Sequence, residues 1–575
     1  MDCTALRRRY FAAKDDRTNV ESVWERIERF VVPFRAQFYE VPADEGTVDW
    51  RRRDIYDSTA VIANGNLASN IHSGLTNSSV RWFDFVLRDR TLSRQMEVKK
   101  WLDDCANTVF LALQESNFNL EINETYIDLT SFGSAALVEE VLEDGRGNLQ
   151  EIDFSATPLG ECYFEEDHKG RIQYFYRRYY WTALQIYTKF GEDGTPEHIK
   201  QQMDNAEESK KRHECVFAIY PRVQYKNGDR SRFIPKLKRP FGYKYFLVKD
   251  AVQLGKEGGY YEMPVFFPRW RKTSGSKWGH SPAMICLSDI LTLNQLVELI
   301  TKAATKVIDP PIMVKRRGIF SDIDLKTGGM TVVLDMDSMK PFESGARFDV
   351  SALTKEELQK SVQSAFFMDQ LQLKESPAMT ATEVQVRYEL MQRLLGPTLS
   401  RLTFDLLDPL VKRTFWILFR YEQLPPAPRI IQQQGGELDI QYVGPMARAQ
   451  KMDTAASVER WLGGVQNMAQ TWPQVLDIPN PDEIAKGSAE LLSVPPRYVH
   501  GDAKVTSIRT ARKQEQEQMK QAQAVQQGGE AAKSLGEGAA ALKEVMPDAV
   551  EQLSRGIATG ANPGNGNGGP PQQGA

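Results

Sequence analysis

The chain has 575 residues, 41% of them hydrophobic and 26% charged, and a formal net charge of −4. That length accommodates several domains. The near-neutral balance argues against a protein that grips nucleic acid or an anionic membrane through a global field, though not against a channel through which DNA must slide. Five scattered cysteines, Cys3, Cys105, Cys162, Cys215 and Cys286, show no C-x-x-C and no pairing rhythm, which fits a reducing compartment and no zinc module. Arg7, Arg8 and Arg9 are not followed by an apolar run, so the start does not read as a secretory signal. No charge-free stretch approaches the ~18 apolar residues of a membrane span. The expectation is a soluble protein made in the cytoplasm, with no membrane partner.

Residues 1–130 read as mainly helical. Val23, Ile27, Phe30 and Val31 give one amphipathic helix that stops near Pro33. Asp57 or Ser58 opens a second, with Ile62, Leu67 and Ile71 on its apolar face. Val98, Leu102, Val109, Phe110 and Leu113 form a third. From Ala135 to Phe267 the texture changes to short β-branched and aromatic runs. Asp-Gly and Lys-Gly punctuation predicts antiparallel hairpins there. Helices over 182–190 and 196–210 interrupt them.

Ser281 caps the next helix, with Pro282 at its first position, and the run extends to about Lys306. Residues 307–350 read as short strands and turns. Thr354 and Glu357 form a capping box that opens another helix, with Leu358, Val362, Ala365 and Phe366 on its inner stripe. Ser376-Pro377 breaks the following loop. A second box, Thr380 and Glu383, opens a very long helix to Tyr421. Leu395, Leu399, Leu402, Leu406 and Leu410 share one of its faces. Pro397, beside Gly396, and Pro409 each predict a kink or break, because a helical proline loses a hydrogen bond and meets the carbonyl four residues back. A strand at "LDIQYV" and helices over 445–470 and 481–492 follow. Residues 506–527 are Gln-rich, basic and helix-prone, with Arg509, Arg512, Lys513 and Lys520. From Gly528 on, the low-complexity composition predicts disorder.

Little in the chain reads as catalytic. There is no G-x-x-x-x-G-K phosphate loop, no H-E-x-x-H and no G-x-S-x-G elbow. The six histidines stand apart, so no cofactor and no enzymatic activity are expected. Asp322/Asp324 and Asp335/Asp337 suit either Mg²⁺ or solvated loops, and the polar turns around them favour solvated loops. "RWRKTSGSKWGHS" (269–281) fits stacking on nucleic acid or a packed domain boundary. Lys315, Arg316 and Arg317 suit a phosphate contact or an intersubunit salt-bridge face.

Several stretches together resemble the head-to-tail connecting (portal) proteins of short-tailed, podovirus-type bacteriophages. They are "NLASNIHSGLTNSSVRWFDF" (66–85), "ESNFNLEINETYIDLTSFGSAAL" (115–137), "PLGECYFEEDHKGRIQYFYRRYYWTALQI" (158–186), "EMPVFFPRWRKTSGSKWGHSPAMICLSDILTLNQL" (262–296), "IDPPIMV" (308–314) and "TATEVQVRYELMQRLLGPTLSRLTFDLLDPLVKRTFWIL" (380–418). Each is weak alone, but their shared order over roughly residues 5–470 is specific. The chain departs locally, with Asn-Ser-Ser where the family often has Ser-Pro, and Trp278-Gly279-His280 where Tyr-Gly-Arg is usual.

The resemblance implies an α+β portal fold in a ring oligomer. Residues 1–280 would be the wing, 281–306 and 351–370 the two stem helices, and 307–350 the clip between them. Residues 371–379 would be the tunnel loop, 380–444 the long kinked wing helix and following strand, and 445–527 the crown and terminal helices. A disordered tail over 528–575 would complete the chain. It further implies a twelve-subunit ring at one capsid vertex, with double-stranded DNA packaged by a separate terminase and later ejected. Partners would be the terminase large subunit, the major capsid and scaffolding proteins and a tail adaptor. Lys374 is expected in the tunnel loop facing DNA. Lys315, Arg316 and Arg317 are expected at clip contacts, and Gly396–Pro397 at the wing-helix kink. Arg509, Arg512, Lys513 and Lys520 are expected on a basic crown face. A near-neutral chain with few placed cations suits sliding, since each phosphate contact strengthens binding. A neck or tail adaptor ring protein is the alternative, and an enzyme of the packaging machine a third reading.

Overall fold

The computed structural model describes residues 1–35, 38, 55–93, 95–144, 147–203, 205, 207–222, 234–273, 275–308, 312–314, 339–341, 348–368, 395–434, 438–442, 445–492, 494, 498–501 and 504–520. They divide into two compact units, Met1–Pro496 and Arg497–Ala575. In the second unit a helix covers 504–520.

The first unit opens with α1 (Cys3–Phe30), 28 residues long. The sequence periodicity picked out only its last third. Its earlier turns bury Cys3, Leu6, Tyr10 and Ala13, again at three- and four-residue steps. Arg17 is buried in the same stripe and donates to the carbonyls of Leu159, Gly160 and Cys162 at 2.9–3.1 Å. It also pairs with Glu21 one turn on and donates to the Tyr163 hydroxyl at 2.8 Å. A charge on the apolar face, satisfied largely by groups distant in sequence, hid the helix from pattern reading. Next come α2 (Thr59–Leu75), β1 (Phe83–Leu87), α3 (Arg90–Ser93), α4 (Met96–Glu115) and α5 (Phe118–Phe132). The Asp57 carboxylate accepts from the Thr59 N–H at 2.9 Å, which ties down the start of α2. Leu67 and Ile71 are buried as expected, but Ile62 is exposed: α2 packs through Ala60, Ala63 and Leu67 instead.

The strand-rich region forms β2 (Ala136–Glu143), β3 (Leu149–Thr157), β4 (Cys162–Glu166) and β5 (Ile172–Thr182), then α6 (Ala183–Gly194) and α7 (Glu197–Met203), then β6 (Arg212–Pro221), β7 (Phe241–Leu247), β8 (Gln253–Tyr260) and β9 (Val265–Phe266). Strands β4 to β8 make a five-stranded antiparallel meander, and β3-β2-β9 a three-stranded sheet. Side chains on β6 alternate between two buried faces. Val216, Ala218 and Tyr220 meet the first half of α1. Cys215 packs under α6 and α7, and Phe217 and Ile219 join the main core.

Ser281 caps α8 (Pro282–Ile285): its Oγ accepts from the Met284 N–H at 3.0 Å, with Pro282 in the first turn. The single helix expected over 282–306 is interrupted at Cys286, after which α9 (Leu287–Ile308) continues. Strands β10 (Ile312–Val314) and β11 (Met339–Pro341) pair antiparallel. Helix α10 (Phe348–Ala365) begins six residues before the Thr354 box, so Thr354 and Glu357 lie within the helix rather than at its start.

Residues 395–402 are helical through Gly396 and Pro397. A π-helical turn, Thr403–Leu407, follows and leads into α11 (Asp408–Arg420). The Asp408 N–H reaches back to the Thr403 carbonyl, five residues away. This wider turn accommodates Pro409, which then occupies the first turn of α11, where its missing N–H costs little. The Thr380–Glu383 box lies outside the described residues. The chain continues as α12 (Arg429–Gln434), β12 (Leu438–Tyr442), α13 (Pro445–Ala469) and α14 (Pro481–Leu491). Strand β12 pairs with β1 in antiparallel register from Phe83↔Tyr442 to Leu87↔Leu438. The main core gathers α2, α4, α5, β1–β3, the base of α9 and residues 395–418.

Candidate functional site: the projecting helix pair and its root

The root of α8 and α9 is locked onto the C-terminus of α5. Gly133 closes α5 in the left-handed conformation, φ 79°. The Trp270 N–H donates to the Gly133 carbonyl at 2.9 Å, and the Gly279 N–H donates to Ser134 Oγ at 2.9 Å. Ser281 Oγ, besides capping α8, donates to the Ser131 carbonyl at 2.6 Å. Trp278 stacks edge-on against Trp24 and Phe164, with centroids 4.8 Å apart in each case.

Of the two readings left open for "RWRKTSGSKWGHS", the packed boundary is therefore the observed one. Trp270 and Trp278 are both buried. Arg269 and Lys272 pair with Glu166, and Lys277 pairs with Asp16. These rings and cations are already committed within the chain and are not laid out for stacking on bases.

From this root α9 and α10 run side by side. Ser361 Oγ donates to Asp289 Oδ2 at 2.7 Å, and Gln359 donates to Asp57 at 2.8 Å. Val362 of α10 and Phe366, just past its end, are fully buried. On α9 burial ends early: Ile290, Leu293 and Asn294 are its buried residues. Beyond them Leu299 is 55% exposed, Val307 52% and Ile308 84%. Leu296, Val297, Ile300 and Ala303 are half-buried. The outer part of α9 thus presents apolar side chains that the described residues of one chain leave uncovered, the pattern of a surface meant for packing.

A second feature, missed by sequence reasoning, braces α11 against the sheets. Arg413 Nε lies 3.2 Å from Glu139 Oε2, both side chains being buried. Thr414 donates to Glu139 Oε1 at 2.9 Å. Arg420 grips Glu262 through two hydrogen bonds of 3.0 Å. Burial is the largest influence on Glu139 and pushes its carboxyl up to about 7, against the pull of Arg413 and Thr414. The available signal was an Arg at positions 413 and 420, seven residues apart on one helix face, with Glu139 directly following the apolar run Ala135–Val138.

The model of the family described as "Bacteriophage head to tail connecting protein" matches residues 3–499. The chain belongs to that family. Among relatives of this connecting protein, the "Probable portal protein" of Bordetella phage BPP-1 is 26% identical over 560 residues, covering 95% of this chain and 97% of its own. The "Portal protein" of Salmonella phage epsilon15 is 27% identical over 522 residues, covering 89% and 90%. A solved structure titled "Neck of empty GTA particle computed with C6 symmetry" aligns over 82% of this chain and all of its own, at 10% identity and a TM-score of 0.34, too low to relate the folds.

In this connecting protein the expected site residues are scattered. Lys374, Lys315, Arg316 and Arg317 lie outside the described residues, as do Asp322, Asp324, Asp335 and Asp337. Gly396 and Pro397 sit in the helical segment 395–402, with Pro397 exposed. A side chain added at Gly396 would meet nothing among the described residues. Arg509, Arg512, Lys513 and Lys520 are all exposed on the helix over 504–520, and their spacing puts them along one stripe. No described helix is long and apolar enough to cross a membrane.

Proposed function

We propose that the chain assembles into a ring of about twelve copies at one capsid vertex, through which double-stranded DNA is packaged by a separate terminase and later ejected. In this reading α9 and α10 are the stem, and the segment between them, with β10 and β11, is the clip. Residues 371–379 form the tunnel loop. The observation that carries it is the uncovered apolar outer half of α9, on a chain whose residues 3–499 match the connecting family. A helix of this composition is stable in water only when neighbours cover it, and a ring supplies a neighbour on each flank.

Within the same proposal Lys374 faces the channel. Lys315, Arg316 and Arg317 make clip contacts to a neighbouring subunit, the terminase or the tail adaptor. Gly396–Pro397 bends the long helix, and the stripe from Arg509 to Lys520 forms the basic face of the crown. The capsid and scaffolding proteins contact the ring's outer surface, and the assembled protein is a virion component. Electron microscopy of the purified protein tests the reading. Rings with a central hole wide enough for B-form DNA are expected, and a monomer with ATPase or nuclease activity would overturn it.

A further inference from the structure

A cleft of about 540 Å³ opens between the end of β2, the strands β7 and β8, the end of α6 and α11. Six cations line it: Lys189, Lys236, Arg239, Lys256, Arg413 and Arg420. Four are committed. Arg413 and Arg420 hold Glu139 and Glu262, and Lys236 pairs with Glu143 at 3.1 Å. Arg239 donates to the carbonyls of Ile234 and Gly259.

Lys189 and Lys256 have no hydrogen-bond acceptor and no ion-pair partner among the described residues. The Lys189 ammonium lies over the rings of Trp181 and Tyr245, 4.7 and 4.8 Å from their centroids. Although the residue as a whole is exposed, desolvation holds its ammonium below the usual lysine range. Beneath it the wall is aromatic: Phe190 packs on Tyr245 with centroids 5.1 Å apart, and Tyr243 on Tyr260 at 4.9 Å. An aromatic wall with a few uncommitted charges, in a volume of this size, is the usual make-up of a ligand site.

A second observation concerns the backbone. Strand β2 meets β9 only at Leu137 and Val138, and the Glu139 N–H then reaches the Pro264 carbonyl at 2.9 Å. Val141 to Glu143 continue with no strand beside them on that side among the described residues, and they line the cleft. A bare strand edge beside side-chain pockets takes up extended peptide.

We propose that this cleft docks a short acidic segment of a protein partner, its carboxylates on Lys189 and Lys256 and its backbone along Val141–Glu143. Charge decides against nucleic acid. Glu140 and Glu143 share the same wall and repel a strand carrying one phosphate every ~3.4 Å. A peptide spaces its carboxylates and turns N–H groups toward those two glutamates. Neither lysine belongs to the α9 stripe on which the ring reading rests.

The experiment is fluorescence anisotropy on the full chain, with a fluorescein-labelled peptide alternating Asp and Phe, its Asn counterpart and a short oligothymidylate. The Asp peptide is expected to bind saturably and more weakly in high salt, while the Asn peptide does not. Replacing both cations (Lys189→Ala with Lys256→Ala) should weaken binding by about tenfold or more, the scale of lost charged hydrogen bonds. Both residues are exposed, so the fold tolerates the change, and circular dichroism checks this. Absence of saturable binding, or equal binding by the doubly substituted chain, overturns the proposal. Tighter binding of the oligonucleotide, lost in that same chain, overturns it in favour of nucleic acid.

Discussion

Gly133 and Gly279 approach so closely that neither leaves room for a side chain on the other. A Cβ on Gly133 would stand 2.5 Å from the Gly279 carbonyl oxygen, and one on Gly279 would stand 2.0 Å from the Gly133 oxygen. This contact sets the end of α5 against the turn that launches α8 and α9, so it fixes where the helix pair leaves the body.

Substitution there should therefore be felt in the fold. Gly279→Ala must push the two backbones apart, and overpacking of this kind costs about 1–3 kcal/mol. Gly133→Ala adds the strain of a left-handed backbone at φ 79°. Urea unfolding should show a lowered midpoint for both, with Gly133→Ala the worse. Wild-type stability in Gly279→Ala would contradict the close approach.

The Glu139–Arg413 pair predicts a pH dependence with a definite sign. The folded carboxyl titrates at about 7, above its ordinary value of 4.5. Between those values the folded chain holds a proton that the unfolded chain has lost. The stability contributed by this group is thus full below pH 4.5 and falls as pH rises toward 7. Glu139→Gln removes the titration. The stability of wild type relative to Glu139→Gln, from thermal melts, should decline from pH 5 to pH 7.5. A flat or rising difference would mean that Arg413 keeps the carboxylate ionised throughout.

The uncovered stripe of α9 separates folding from assembly. Leu299 is exposed in the single chain, so Leu299→Asp should change its melting free energy by less than about 1 kcal/mol. In a ring the same change buries an unpaired charge against a neighbour. Light scattering should then show subunits or partial rings in place of the full assembly. Leu293→Asp, in the buried part of the helix, should instead destabilise the chain itself. Intact rings from Leu299→Asp would remove α9 from the subunit interface.

Local rules made several elements legible before any coordinates. Ser281-Pro282 announced α8 because capping is settled within four residues. The alternating runs from 135 to 267 announced strands because side chains on a strand alternate by two. The ordered stretches quoted above pointed to the connecting family, whose model matches residues 3–499.

Other features depended on partners far away in the chain. Arg17 on an apolar face made half of α1 unreadable until the carbonyls of Leu159, Gly160 and Cys162 came into view. Pro409 read as a kink or break, and only the structure showed that a π-helical turn before it absorbs the proline. Whether Trp270 and Trp278 faced a ligand or a core was open until packing against Trp24 and Phe164 closed it for Trp278.

By itself the sequence determined most element types, the start of α8 and the family, because those rest on interactions within a few residues or on motifs kept in order. Only the tertiary structure decided that β12 pairs with β1, that Glu139 meets Arg413, and that Lys189 and Lys256 share a cleft with no hydrogen-bond acceptor or ion-pair partner among the described residues. Each of these joins residues remote in sequence. A buried charge or an uncommitted one is recognisable only once all its neighbours are in place.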